Sequence, residues 1–108
     1  MKLIELIPFL LEPIKLEELC KELNLNQNSE AILIYMENAL EMESDIIFFE
    51  IEETEDEQVF FKKEKKYIQL FPLDYSSEAI NNYLGMDLEN YTELEIAERL
   101  LIYRINGA

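Results

Sequence analysis

The chain has 108 residues, 24 of them acidic and 9 basic, with no histidine, one cysteine and a formal net charge of −15. That length suits one domain, residues 1–108, and an apolar share of 49% sets it apart from intrinsically disordered chains, which pair high charge with few apolar residues. No apolar run approaches the roughly 18 residues that cross a bilayer, the start of the chain has no uninterrupted signal-type stretch, and one cysteine makes no internal disulfide, so a reducing cytoplasm is the expected compartment.

The charge is unevenly spread. Glu22 to Phe61 holds 12 acidic residues and no lysine or arginine, and Lys62-Lys63-Glu64-Lys65-Lys66 then packs four of the nine basic residues into five positions. Nucleic-acid binders need the opposite field, because phosphate neutralisation supplies much of their affinity. A face this negative repels DNA and anionic membrane and favours a basic protein partner.

In chain order, Met1 to Leu11 reads as a short helix broken or kinked at Pro8, which lacks the amide an interior position needs. Pro13 marks a boundary. Leu16, Leu19, Cys20 and Leu23 then fall at i, i+3, i+4 and i+7, the apolar stripe of a helix over Lys15–Asn24, with Cys20 a small core residue and not a reactive thiol. Asn26 to Ser29 is a turn, and a second helix is expected over Ser29–Glu43. Its segment from Ala31 to Met36 is apolar all the way round, so both sides are covered within the domain or one side meets a second copy. With Ile32, Met36, Ala39 and Leu40 forming the core stripe, Leu33, Ile34 and Glu37 are the candidate dimer contacts, Ile34 being the exposed apolar one.

Three strands are expected next: Ile46–Glu52, Val59–Lys62 and Tyr67–Phe71. Short connections make them an antiparallel meander. Alternation in the first sets Ile47, Phe49 and Ile51 opposite Glu50 and Glu52, and Thr54 to Glu57 is read as a solvated hairpin tip. Lysines at the next hairpin can discourage pairing between sheet edges. Pro72 ends the sheet. Ser76 or Ser77 caps a short helix, Glu78–Leu84, closed by Gly85. The last helix opens with a Thr92/Glu95 capping box, carries Glu95 and Arg99 at i, i+4, and exits at Asn106-Gly107.

Without histidine the commonest general base and metal ligand is missing, so Ser-His-Asp, Cys-His and zinc Cys/His constellations cannot form. There is no glycine-rich phosphate loop. The run Glu50-Ile51-Glu52-Glu53-Thr54-Glu55-Asp56-Glu57 lacks the alternating ligands and central glycine of an EF-hand. No catalytic residue, cofactor or metal is assigned.

Pro13 to Leu25, with Leu16, Leu19 and Leu23 in place, resembles the second helix of winged-helix domains, and the likeness extends over about residues 3–71. The resemblance implies a third helix followed by a β-hairpin wing. In DNA-reading members that third helix is polar or basic. Here it offers Glu30, Ile34, Glu37, Asn38 and Glu41, so the resemblance is to winged helices that bind proteins and not DNA.

The expectation is an α+β domain: winged-helix-like N-terminal helices, a three-stranded antiparallel meander and two C-terminal helices. Its function is expected to be that of a non-enzymatic bacterial interaction module whose acidic face (Glu50, Glu52, Glu53, Glu55, Asp56 and Glu57) takes a basic protein, with self-association into a homodimer, no specific nucleic acid and no membrane. Two alternatives remain open: a small acidic immunity-type inhibitor or DNA mimic, and a winged-helix transcription regulator using the Lys62–Lys66 wing.

Overall fold

The structure, a computed structural model, describes residues 1–25, 28–74 and 90–106. Helices α1 (Leu3–Leu11) and α2 (Pro13–Glu22) lead into strand β1 (Ile32–Glu37) and strand β2 (Ile46–Glu50). A one-turn helix α3 (Ile51–Thr54) follows, then β3 (Val59–Lys62), β4 (Lys65–Pro72) and helix α4 (Glu93–Asn106). The chain is α+β, as expected, but among the described residues its antiparallel sheet has four strands, in the order β2-β1-β4-β3.

The main correction concerns residues 29–43. The expected third helix is strand β1, at the centre of the sheet, paired with β2 on one side and β4 on the other. Its apolarity on all sides is that of a strand covered on both faces, and the run of five β-branched, aromatic and aliphatic residues from Ile32 to Met36 fits that role. Ile34 and Met36 face the helices, whereas Leu33 and Tyr35 face the other way. The arrangement of helices that a winged-helix domain requires is therefore not the one observed. Leu33 and Ile34 are both 0% exposed, so neither offers a dimer surface.

The second correction is the meander. β2 and β3 are not neighbours but opposite edges of the sheet. β4 carries one extra residue against β1: Ile34 pairs with Phe71 and Tyr35 with Gln69, leaving Leu70 as a β-bulge. The bulge turns consecutive Leu70 and Phe71 both into the helix-side core.

That core is built from Leu3, Leu6, Ile7 and Leu10 of α1, Ile96, Ala97, Leu100 and Leu101 of α4, and the sheet residues between them. α1 runs unbroken through Pro8, contrary to the expected break. Four fully or almost fully buried side chains on one face outweigh the one backbone hydrogen bond the proline removes. α2 overlaps the expected helix Lys15–Asn24 but starts two residues earlier, with Pro13 in the first-turn position that suits proline, and ends at Glu22, leaving Leu23 of the expected stripe exposed beyond it. The Thr92/Glu95 capping box forms, with Thr92 N–H donating to Glu95 at 3.1 Å and Glu95 N–H to Thr92 Oγ1 at 3.2 Å. Arg99 lies over the Tyr91 ring, 4.6 Å from its centroid, instead of pairing with Glu95. The expected helix Glu78–Leu84, its caps and Gly107 lie outside the described residues.

Candidate functional site: an acidic strap over the sheet

Because β2 and β3 are opposite edges, residues 51–58 must cross β1 and β4 to join them. They do so on the face away from the long helices, where Ile51 packs on the cluster Leu33, Tyr35, Phe49 and Tyr67. The expected hairpin tip is thus a strap. Beneath it the rings of Tyr35, Phe49, Phe60 and Tyr67 meet edge to face, with centroids 5.1 Å apart for Phe49–Tyr67 and 5.2 Å for Phe49–Phe60. Phe49 and Phe60 come from the two outer strands, so the sheet curls around this face.

Four sets of polar contacts fasten the strap. The Ser29 hydroxyl and the Glu30 amide both donate to the Glu52 carboxylate. These bonds, the hydroxyl's first, hold the Glu52 carboxyl below its usual range. The Lys62 ammonium pairs with Glu53 and sits 5.5 Å from the Phe49 ring centroid. The Tyr35 hydroxyl donates to the Glu57 carbonyl at 2.6 Å. Gln69, buried on β4, donates through Nε2 to Asp56 Oδ1 at 2.8 Å and accepts from Gln58 Nε2 at 2.9 Å. Arg104 of α4 extends this network, donating to Gln58 Oε1 at 2.8 Å and to the Gln69 carbonyl at 3.0 Å.

The six acids singled out in the sequence therefore separate into groups. Glu52, Glu53 and Asp56 hold the strap down. Glu55 and Glu57 are exposed, and among the described residues their carboxylates have no ion pair or hydrogen bond. Glu50 ends β2 half-buried and shares no strand face with Glu52, because the strand becomes α3 between them. Glu37 lies at the end of β1, where Lys65 pairs with it at 3.4 Å. Lys62 to Lys66 form the tip of the β3–β4 hairpin. Cys20 is half-buried, and burial, reinforced by Asp74 and Glu17, pushes its thiol up, as suits an inert side chain.

Gln69, Gln58 and Arg104 were not singled out in the sequence. Gln69 does leave a trace there, as the one polar residue inside Tyr67-Ile68-Gln69-Leu70-Phe71, and a buried polar group needs partners.

Elsewhere an open polar recess of about 330 Å³ lies between Glu37, Glu41, Glu43 and Asp45 of the β1–β2 loop, and an apolar groove of about 310 Å³ runs along Met1, Leu23, Leu25 and Phe48. Among the described residues no three acidic or cysteine side chains are grouped so as to hold a metal ion, and no helix is long and apolar enough to cross a membrane. No protein-family model, curated protein or solved structure matches the chain.

Proposed function

We propose that the protein is a non-enzymatic interaction module that takes a basic protein partner on its acidic strap. The observation that carries this reading is the construction of the strap. Five carboxylates lie between residues 52 and 57, and internal contacts hold three of them so that Glu55 and Glu57 stand out on a fixed backbone. A fixed array of like charge is prepared for a cationic surface, because the repulsion within it has already been met in folding and a partner's ammonium or guanidinium groups relieve it. A cytoplasmic setting agrees with this chemistry. The transcription-regulator alternative, which would use the Lys62–Lys66 hairpin, is the less favoured reading, because the element that follows α2 is a buried strand and not a groove-reading helix.

The test compares two charge reversals of equal size, Glu55→Lys on the strap and Glu43→Lys in the β1–β2 loop. Both positions are exposed. The partner is isolated from a lysate of the source cells and its association rate measured at low and physiological salt. The Glu55 variant is expected to slow association several-fold at low salt while the Glu43 variant changes it little. Equal effects from both would assign the attraction to net charge alone, and the strap would not be the docking surface.

A further inference from the structure

We propose that the outer edge of β3 is a homodimer interface, at which two copies pair antiparallel about a two-fold axis at Phe60 and join their sheets into one of eight strands. The backbone of this edge points outward in a defined way. Gln69 N–H donates to the Gln58 carbonyl at 2.8 Å. In the register Val59↔Ile68, Phe60↔Tyr67 and Lys62↔Lys65, residues 58, 60 and 62 therefore turn their amides and carbonyls toward β4. Those of Val59 and Phe61 face away from the sheet. Among the described residues nothing pairs with them, and the two side chains are 39% and 67% exposed. The opposite edge is treated differently: the Ile46 amide of β2 donates to the Met1 carbonyl at 2.7 Å, and Lys2 bridges to Asp45. Protein edges are commonly blunted by charge, proline or a bulge. β3 has none of these between Val59 and Phe61, and its lysines start only at the hairpin end.

The choice of a second copy rests on the order of charge along the strand. β3 is entered from Glu55-Asp56-Glu57 and left through Lys62-Lys63. Antiparallel pairing sets each acidic end beside the partner's basic end, whereas parallel pairing would oppose like charges. Outward-facing residues must meet outward-facing residues, which leaves few registers. The one centred on Phe60 sets Val59 against the second copy's Phe61, Glu57 against its Lys63, and the two Phe60 rings across the axis. Moving the centre to Val59 sets Phe61 against Glu57, and moving it to Phe61 sets Val59 against Lys63. Each separates Glu57 from Lys63 and puts an apolar side chain against a charge. Glu57 belongs to both surfaces, whereas Glu55, the carboxylate reversed in the partner-binding test, opposes no residue of the second copy's β3 in this register, so either proposal can fail alone.

Sedimentation equilibrium near physiological salt is expected to show twice the 12.9 kDa chain mass. Phe61→Lys should give a monomer with an unchanged circular dichroism spectrum, because Phe61 is mostly exposed. Glu57→Lys or Lys63→Glu should each weaken the dimer about tenfold, since symmetry applies every cross-strand change twice. The double variant Glu57→Lys/Lys63→Glu should restore it. A wild-type monomer at several hundred micromolar, an intact dimer in Phe61→Lys, or a double variant as weak as the single ones would each overturn the proposal.

Discussion

Thr54 and Gln69 are the two buried polar side chains among the described residues, and they are in opposite situations. Thr54 Oγ1 has no hydrogen-bond partner, whereas the Gln69 side chain is tied to Asp56 and Gln58, and Arg104 donates to its backbone carbonyl. An unpaired buried hydroxyl costs its desolvation, so Thr54→Val is expected to be neutral or to raise stability by up to about 1 kcal/mol. Gln69→Leu should lower stability by about 1–3 kcal/mol, because it leaves the Gln58 amide and the Asp56 carboxylate without their partner. Chemical denaturation of the two variants checks both values. Glu52 gives the pH-dependent counterpart. Its folded-state pKa is lowered, so its contribution is fully present above the ordinary glutamate range and is lost as pH falls through the lowered value. Wild type should be more stable than Glu52→Gln at neutral pH, with the difference shrinking to nothing as the solution is acidified. A difference independent of pH would mean that the carboxylate's charge does not hold the strap.

At the scale of elements, the β3–β4 hairpin is closed by Lys63 and Glu64 with φ of 51° and 67°. A two-residue turn with both φ values positive favours Asn-Gly, so Lys63→Asn/Glu64→Gly should stabilise the fold by about 1 kcal/mol, read as a rise in denaturation midpoint. Sequence and structure agree where a signal is local. α2 has its leucine spacing and α4 has its capping box, so both were legible, although Pro13 marks the first turn of α2 and not a boundary before it. β1 was not. A strand covered on both faces has neither helical nor alternating periodicity, and six apolar residues in a row fit a buried helix equally well. The crossing of residues 51–58 was illegible for another reason. Consecutive strands usually pair, so the polar stretch between β2 and β3 reads as a hairpin. What prevents that pairing is the distant insertion of β1 and β4 between them, which no local pattern encodes. The acids of the candidate site were found from composition, but their division into fastening and outward-facing groups depends on Ser29, Lys62 and Gln69, which are remote in sequence.

For the whole molecule, the charge of −15 has to be reconciled with a folded, interacting chain. The strap shows how: three of its carboxylates are hydrogen-bonded or ion-paired, and the remaining charge is carried outward on a frame that the aromatic face supports. Lysines gathered at one end of β3 and acids at the other make the chain electrically polar along this strand, which a uniform acidic coat would not do. Both proposals depend on one structural claim, that β1 and β4 lie side by side at the centre of the sheet and push β2 and β3 to its edges. The most direct test is a set of backbone proton–proton Overhauser contacts in solution. This strand order requires cross-strand contacts linking Met36 with Ile68 and Val59 with Ile68, and none between the backbones of β2 and β3. Helical i, i+3 contacts through Ile32–Glu37, or backbone contacts joining β2 directly to β3, would contradict it.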